Sequence, residues 1–197
     1  MNIMRLLRGV PSLIGETFVS LLRQNESTLA ASGRRWLYGG SCHIDTQVVI
    51  TNPRGFVAAP STAIYHGCYV LNQHGYLRMG SNSHLGASCF VNVCYGNVTI
   101  GEGVAVGPGT KIFAYSNHYR HGCRVTDEKL TEDVVIGDNV FIGANCVVLP
   151  GTHIGDNVII AAGSIAKGNL TPDCIYGGAP CKIIRRGWFT TCIPSIR

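Results

Sequence analysis

From Ile100 onward an aliphatic residue stands at every sixth position, in most cases followed by glycine. The units read IGEGVA (100–105), VGPGTK (106–111) and IFAYSN (112–117). After an interruption come IGDNVF (136–141), IGANCV (142–147), VLPGTH (148–153), IGDNVI (154–159) and IAAGSI (160–165). Upstream, MGSNSH (79–84) and LGASCF (85–90) share one phase; the period slips near Val93–Val98 and is ragged before Met79. The fifth position is small or β-branched throughout: Ser83, Cys89, Val104, Thr110, Ser116, Val140, Cys146, Thr152, Val158 and Ser164. An amphipathic helix repeats about every 3.6 residues and a half-buried strand about every 2, so neither explains the order. A triangular parallel solenoid does. Each hexapeptide supplies a short strand and a tight turn, and roughly three units close a coil. The aliphatic side chain fills the interior and the small residue fits beside it near the corner. Gly and Asn at 137–139 and 155–157 supply the positive φ that the turns need.

The pattern divides the chain into three parts. Residues 1–31 carry apolar side chains at Ile3, Leu7, Val10, Ile14, Phe18 and Leu21, close to helical spacing, with Pro11 bending or ending the helix early. Residues 32–170 form the solenoid, its first coils irregular. Residues 171–197 close it and end in an apolar, aromatic segment, GWFTTCIPSIR, suited to sealing a coil end or a subunit contact. The repeat breaks once, over 117–134, where charge density rises and the aliphatic phase is lost. An interruption after which the period resumes predicts a loop extruded from one corner. Two histidines, His118 and His121, stand at its base.

Composition narrows the function. Charged residues make up 14% and hydrophobic residues 46%, which supports a packed core and argues against disorder. The net charge of +5 suits an anionic ligand, such as a nucleotide cofactor or a lipid headgroup. No aromatic-basic cluster or zinc-finger spacing points to nucleic acid. The 9 cysteines are odd in number and contain no CxxC pair, so they predict reduced thiols and a cytoplasmic protein; Cys89 and Cys146 occupy the small buried slot. The stretch Ile3–Leu22 is interrupted by Arg5, Arg8, Pro11 and Glu16, short of the about 20 apolar residues of a membrane span. Two readings of it stay open. It packs over an end of the solenoid, or it lies on the inner face of a membrane with Arg5, Arg8 and Arg23 toward lipid phosphates.

The ten units, the run AYSNHYR (114–120) and the closing segment IAKGNLTPDCIYGGAPCKIIRR (165–186) resemble the hexapeptide-repeat acyltransferases. Within that family the likeness is to the maltose and galactoside O-acetyltransferases and the O-acetyltransferases of polysaccharide biosynthesis. The resemblance covers about Met79 to Arg186 and implies an all-β fold, a left-handed parallel β-helix. It implies transfer of an acetyl group from acetyl-CoA to a sugar hydroxyl, with His118 as general base and no metal. Histidine suits that role, because its imidazole is neutral near pH 7 and can take the hydroxyl proton as the bond forms. The resemblance further implies an acceptor contact from Asn92, in FVNVC, and a backbone donor at Ala144 for the oxyanion. Tyr115, Tyr119 and Arg120 flank His118 in sequence and are candidates to touch the sugar. On the donor side it implies Ala161 and Ala162 along the pantetheine arm. Lys167, Lys182, Arg185 and Arg186 would meet the phosphates through charge-assisted bonds. Ala166 stands where the family often has Thr, which leaves the exact donor contacts open. Members of the family are typically homotrimers with active sites between subunits, and that arrangement is expected here.

Three other functions remain in play. One is N-acetylation of an amino sugar carried on a nucleotide, by a similar base. A second is a metal-dependent β-helix resembling carbonic anhydrase, with His84, His118 and His121 as ligands across a subunit interface. The third is a scaffold that keeps the fold without catalysis.

Overall fold

The computed structural model describes residues 42–188 apart from Thr46. The N-terminal helical segment expected over 1–31, and the end of the C-terminal segment beyond Trp188, lie outside the described residues.

Short strands stack into three parallel sheets, which form the faces of a prism. The first face holds His43–Ile44, Ala63–Ile64, His84–Leu85, Ala105–Val106, Phe141–Ile142, Ile159–Ile160 and Cys174–Gly177. The second holds Val49–Ile50, Tyr69–Leu71, Phe90–Asn92, Lys111–Phe113, Val147–Val148 and Ile165–Ala166. The third holds Phe56–Ala58, Leu77–Met79, Val98–Ile100, Val134–Ile136, His153–Ile154 and Asn169–Leu170. The chain visits the faces in rotation, making six turns and the first strand of a seventh. This is the parallel solenoid that the repeat predicts, and it accords with the left-handed β-helix.

The aliphatic slot fills the interior as expected. Leu85, Val106, Ile142 and Ile160 on the first face and Val91, Ile112 and Val148 on the second are all 0% exposed, and Met79, Ile100 and Ile136 on the third are 1% exposed. The fourth slot explains the turns. Asn82, Ser88, Asn139, Asn145 and Asn157, with Gly103, Gly109, Gly151 and Gly163, all have positive φ there. These are the residue types that reach the left-handed region at least cost. The positive φ predicted for 137–139 and 155–157 falls on Asn139 and Asn157. The third corner is stitched in addition by side chains: Asp138 Oδ1 accepts from Glu102 N (2.7 Å), and Asp156 Oδ1 accepts from Asp138 N (2.8 Å).

Two features differ from the sequence pattern. Before the loop a turn takes 20 or 21 residues, as in the bond from Val104 N to Ser83 Oγ, whereas after it the step is 18, as between Asp138 and Asp156, and 16 in the last turn, from His153 to Asn169. The extra residues sit at the second corner, between Leu71 and Leu77 and again between Asn92 and Val98. That enlargement is why the hexapeptide period slips near Val93–Val98 although the coil itself continues. The second difference is the loop. It leaves the solenoid at Tyr115 as an antiparallel hairpin, with Tyr115–Asn117 paired to Lys129–Thr131. Ser116, which the period assigned to the small interior slot, is exposed.

At the far end, Lys182–Arg186 folds back antiparallel on Cys174–Gly177 and closes the first face. The tail between them caps the second face, with Gly178 O accepting from Ile165 N (3.0 Å) and Cys181 N donating to Ile165 O (2.8 Å).

Candidate functional site

His118 is exposed on the hairpin, just beyond its paired strands. Its backbone is pinned, since His118 N donates to Glu128 O on the returning limb (3.0 Å). Arg120 closes an ion pair with Glu128, so the limb carrying His118 is tied at backbone and side chain. Arg120 was a candidate sugar contact; in this arrangement its guanidinium is held by the hairpin itself. Tyr119 is 72% exposed. Tyr115 anchors the hairpin to the solenoid: its ring packs on Tyr95 (centroids 5.0 Å apart), and Lys129 Nζ lies 5.3 Å from its centroid on the other limb. The Tyr115 hydroxyl beside Lys129 holds that ammonium's pKa above its ordinary value. Asn92 belongs to the same corner. Its carbonyl accepts from Ala114 N (2.9 Å), and its side-chain oxygen accepts from Cys94 N (3.2 Å). The second corner therefore gathers Asn92, Tyr115 and the hairpin that bears His118.

The first corner has a different character. In successive turns it is built from Gly86–Ala87, Gly107–Pro108, Gly143–Ala144 and Ala161–Ala162. A Cβ on Gly107 would lie 2.5 Å from Ala144 N, and one on Gly143 would lie 2.5 Å from Ala162 N, so side chains are excluded and the turns close up into a bare groove. The carbonyl of Ala144 accepts from Gly163 N (2.9 Å). Among the described residues neither the Ala144 nor the Ala162 N–H spends itself on an internal hydrogen bond. Ala161 differs, for its N–H donates to Tyr176 O (2.8 Å) and its carbonyl accepts from Ser164 Oγ (2.6 Å). It offers a ligand only its small side chain.

Of the basic residues Lys182 reaches the far end of this groove, whereas Arg185 and Arg186, opposite Ile175 and Cys174, run back across the first face. Lys182 stands opposite Gly177, where a Cβ would lie 3.3 Å from that of Ala161, and Arg185 and Arg186 follow on the same exposed strand. Lys167 sits apart from them, exposed at the second corner. Cys181, half-buried in the closing tail, has its thiol pushed above the ordinary value by burial. Cys146, behind the groove, is raised by the same cause, and Cys89 is held protonated by its hydrogen-bonded neighbour Cys68 and by burial. Such thiols are inert packing groups rather than nucleophiles.

The sequence reading passed over one feature. A hollow of about 470 Å³ opens at the near end of the groove, lined by Tyr65, His66, His84, Pro108, Phe141 and Asp45 among others. Tyr65 and His84 meet edge to face with centroids 5.7 Å apart. The signal was available, because Tyr65–His66 occupies the same two positions of the turn that hold bare Gly–Ala pairs later on. The sequence marks His84 only as a candidate metal ligand. It lies here on the first face, away from the hairpin of His118 and His121. No metal-binding group of three His, Cys, Asp or Glu side chains occurs among the described residues. No helix among them is long and apolar enough to cross a membrane.

Comparison with known proteins bears on this geometry. Residues 133–168 match the bacterial transferase hexapeptide family (six repeats). Galactoside O-acetyltransferase of Escherichia coli (strain K12) is 36% identical over 115 residues, which cover 56% of this chain and 57% of that protein. The chain thus spans little more than half the length of that relative. Among solved structures, a galactoside acetyltransferase in complex with coenzyme A shares 29% identity at a TM-score of 0.55, covering 67% of this chain and 66% of that one. The N-acyltransferase AntD from Bacillus cereus, in complex with dTDP and coenzyme A, aligns with a TM-score of 0.66 at 22% identity, over 74% of this chain and 80% of that one; this likeness is one of fold.

Proposed function

We propose, from the hexapeptide-repeat acyltransferases that this chain resembles and whose repeat it carries, that it transfers an acetyl group from acetyl-CoA to a sugar hydroxyl. The observation that carries the reading is the bare first corner with its unspent Ala144 N–H, set between Lys182 at one end and an aromatic-lined hollow at the other. Small residues let an extended thioester arm lie against backbone. Lys182, Arg185 and Arg186 suit its phosphates by charge-assisted bonds. The solved galactoside acetyltransferase holds coenzyme A, which supports the same donor here.

The reaction then runs in one displacement. His118 accepts the proton of the sugar hydroxyl as its oxygen attacks the thioester carbonyl. The Ala144 N–H stabilises the oxyanion, and collapse expels the coenzyme A thiolate, which takes the proton back from His118. Neither Cys146 nor Cys181 competes as a nucleophile, since burial keeps both protonated. Asn92 and Tyr119 are the acceptor contacts of the base's own corner; Arg120 acts as a positioning residue through Glu128.

Base and donor belong to different corners. The strand Lys111–Phe113 and its flanks span them, about six residues at roughly 3.3 Å each, or about 20 Å. One chain's His118 is therefore suited to the first corner of a second chain, and a homotrimer with shared sites is the assembly proposed. The resemblance to O-acetyltransferases of polysaccharide biosynthesis, carried by AYSNHYR and GGAPCK, supports an acceptor that is a building block of surface polysaccharide.

Mass spectrometry of sugar acceptors incubated with acetyl-CoA tests this. Wild type is expected to add about 42 Da, one acetyl for one hydrogen. His118→Ala is expected to slow the addition by roughly 10²–10⁴-fold. An equal rate in the variant removes His118 from the mechanism. Lability of the product to hydroxylamine marks an ester; a resistant product is an amide and moves the acceptor to an amino sugar.

A further inference from the structure

The groove of the first corner runs down into the hollow, whose lining reaches Gly107 and Pro108, one turn below the Ala144 N–H. Adjacent turns lie about 4.8 Å apart, so Ala144, in the fifth turn, stands roughly 14 Å above His66 in the second. Between them the corner carries only Gly86–Ala87 and Gly107–Pro108, which form the floor. The walls are Tyr65 and Phe141, which are 42% and 49% exposed, with His84 presenting its ring edge-on to Tyr65. A volume of about 470 Å³ is in the range of small-molecule sites.

We propose that this hollow is the acceptor pocket and that its ligand is a pyranose ring; the proposal rests on the acyltransferase reading above. The lining selects the chemistry. A sugar presents C–H faces that pack on aromatic rings and hydroxyls that bond to imidazole nitrogens, a phenol or a carboxylate. Tyr65 and Phe141 offer the faces. The Tyr65 hydroxyl, His66 and His84 offer the polar atoms. The other occupant that the position allows is an acyl chain running on from the thioester. The exposed lining is mostly apolar, as the C–H faces of a sugar require, while the few polar atoms it carries can bond hydroxyls that an acyl chain lacks. A pyranose seated here directs a hydroxyl toward the Ala144 N–H, where the thioester carbonyl lies. It leaves its outer side to a second chain's hairpin. Tyr65, His84 and Phe141 then determine which sugar is accepted, whereas His118 determines only that it reacts.

The test uses the full-length chain with methyl β-D-galactopyranoside, methyl α-D-glucopyranoside and methyl α-D-mannopyranoside as probes. Saturation-transfer NMR reads sugar binding, and titration calorimetry reads coenzyme A binding. Wild type is expected to saturate the ring protons of at least one probe. Tyr65→Ala and Phe141→Ala are each expected to weaken that sugar by about tenfold, the loss of one aromatic contact, with coenzyme A affinity unchanged within about twofold. Both rings are exposed, so truncation leaves the core intact; Val57→Ala on the third face, where Val57 is 51% exposed, serves as control. Equal sugar binding in the ring variants and wild type overturns the proposal. So does a change in preferred acyl-chain length without a change in sugar affinity, which assigns the hollow to the donor. Absence of any sugar signal with coenzyme A still bound overturns the pocket and leaves the transferase reading standing. Failure of coenzyme A to bind removes both.

Discussion

At the scale of single residues, the fifth slot does more than fill space. Thr110, 0% exposed, donates its hydroxyl to Gly143 O (3.0 Å) and accepts from Cys146 N (3.2 Å), so it holds both ends of the turn that presents Ala144. Thr110→Val keeps the shape and removes both bonds, leaving a buried N–H and a carbonyl without that partner. A loss of about 1–3 kcal/mol is expected in urea unfolding. Activity should fall more than stability explains if Ala144 is the oxyanion donor. Thiol chemistry is equally specific. Burial raises the pKa of Cys181 and of Cys146, so each stays protonated where an ordinary thiol, near about 8.5, begins to ionise. Alkylation needs the thiolate. Iodoacetamide at pH 8 is therefore expected to label Cys181 more slowly than a free cysteine, with a rate still climbing above pH 9; mass spectrometry of tryptic peptides follows it, and a rate flat beyond pH 8 sinks the assignment. These pairings are beyond a sequence reading. The period showed that position 110 must be small and buried; that its hydroxyl bridges turns a loop apart needs the register.

At the scale of elements, the hairpin is where the repeat rule fails and where the proposed base sits. Every regular unit places Gly, Asn or Ser at its left-handed fourth position, but IFAYSN places Tyr115 there. A bulky residue is costly at positive φ, and the chain leaves the solenoid at that residue instead. The exit point was thus legible in the sequence two residues before the charged stretch that drew attention to it. Below the exit, the enlarged second corner forms a support that six-residue counting obscured. Gly75 is its tightest point: a Cβ there would stand 1.8 Å from Gly96 O and 2.1 Å from Val93 O. Gly75→Ala must push turns two and three apart, and a loss of about 1–3 kcal/mol or more is expected. Because Tyr95, between those turns and the hairpin, packs on both His74 and Tyr115, the damage should spread to the hairpin. Hydrogen exchange at His118 N, normally bonded to Glu128 O, is the readout. Protection equal to wild type would mean that the hairpin stands independently of the corner beneath it.

At the scale of the whole molecule, the solenoid acts as a ruler that keeps the proposed base and the proposed donor groove apart. The period gives the strands and the core, and the closing motif proposes the donor end. What the sequence left undivided was which candidates share a corner. Ala144, Ala161, Ala162 and Lys182 fall along the first corner, whereas Asn92, Tyr115, His118 and Lys167 fall on the second. No six-residue count distinguishes the two, because corners follow from how many residues each turn consumes. This separation makes a quantitative prediction. Let one variant lack the base, His118→Ala, and another lose the donor end, Lys182→Glu with Arg185→Glu. Each alone is expected to be nearly inactive. If the two are co-expressed in equal amounts and assemble at random in a cyclic oligomer, a functional site needs an intact base from one chain and an intact groove from its neighbour. About a quarter of the sites meet that condition, so about a quarter of wild-type activity should return. Sites confined to single chains would restore nothing, since every chain in the mixture is defective in one half. A mixed preparation as inactive as its parents, with mixed oligomers confirmed by native mass spectrometry, would place base and donor in the same chain and require the hairpin to fold across the second face.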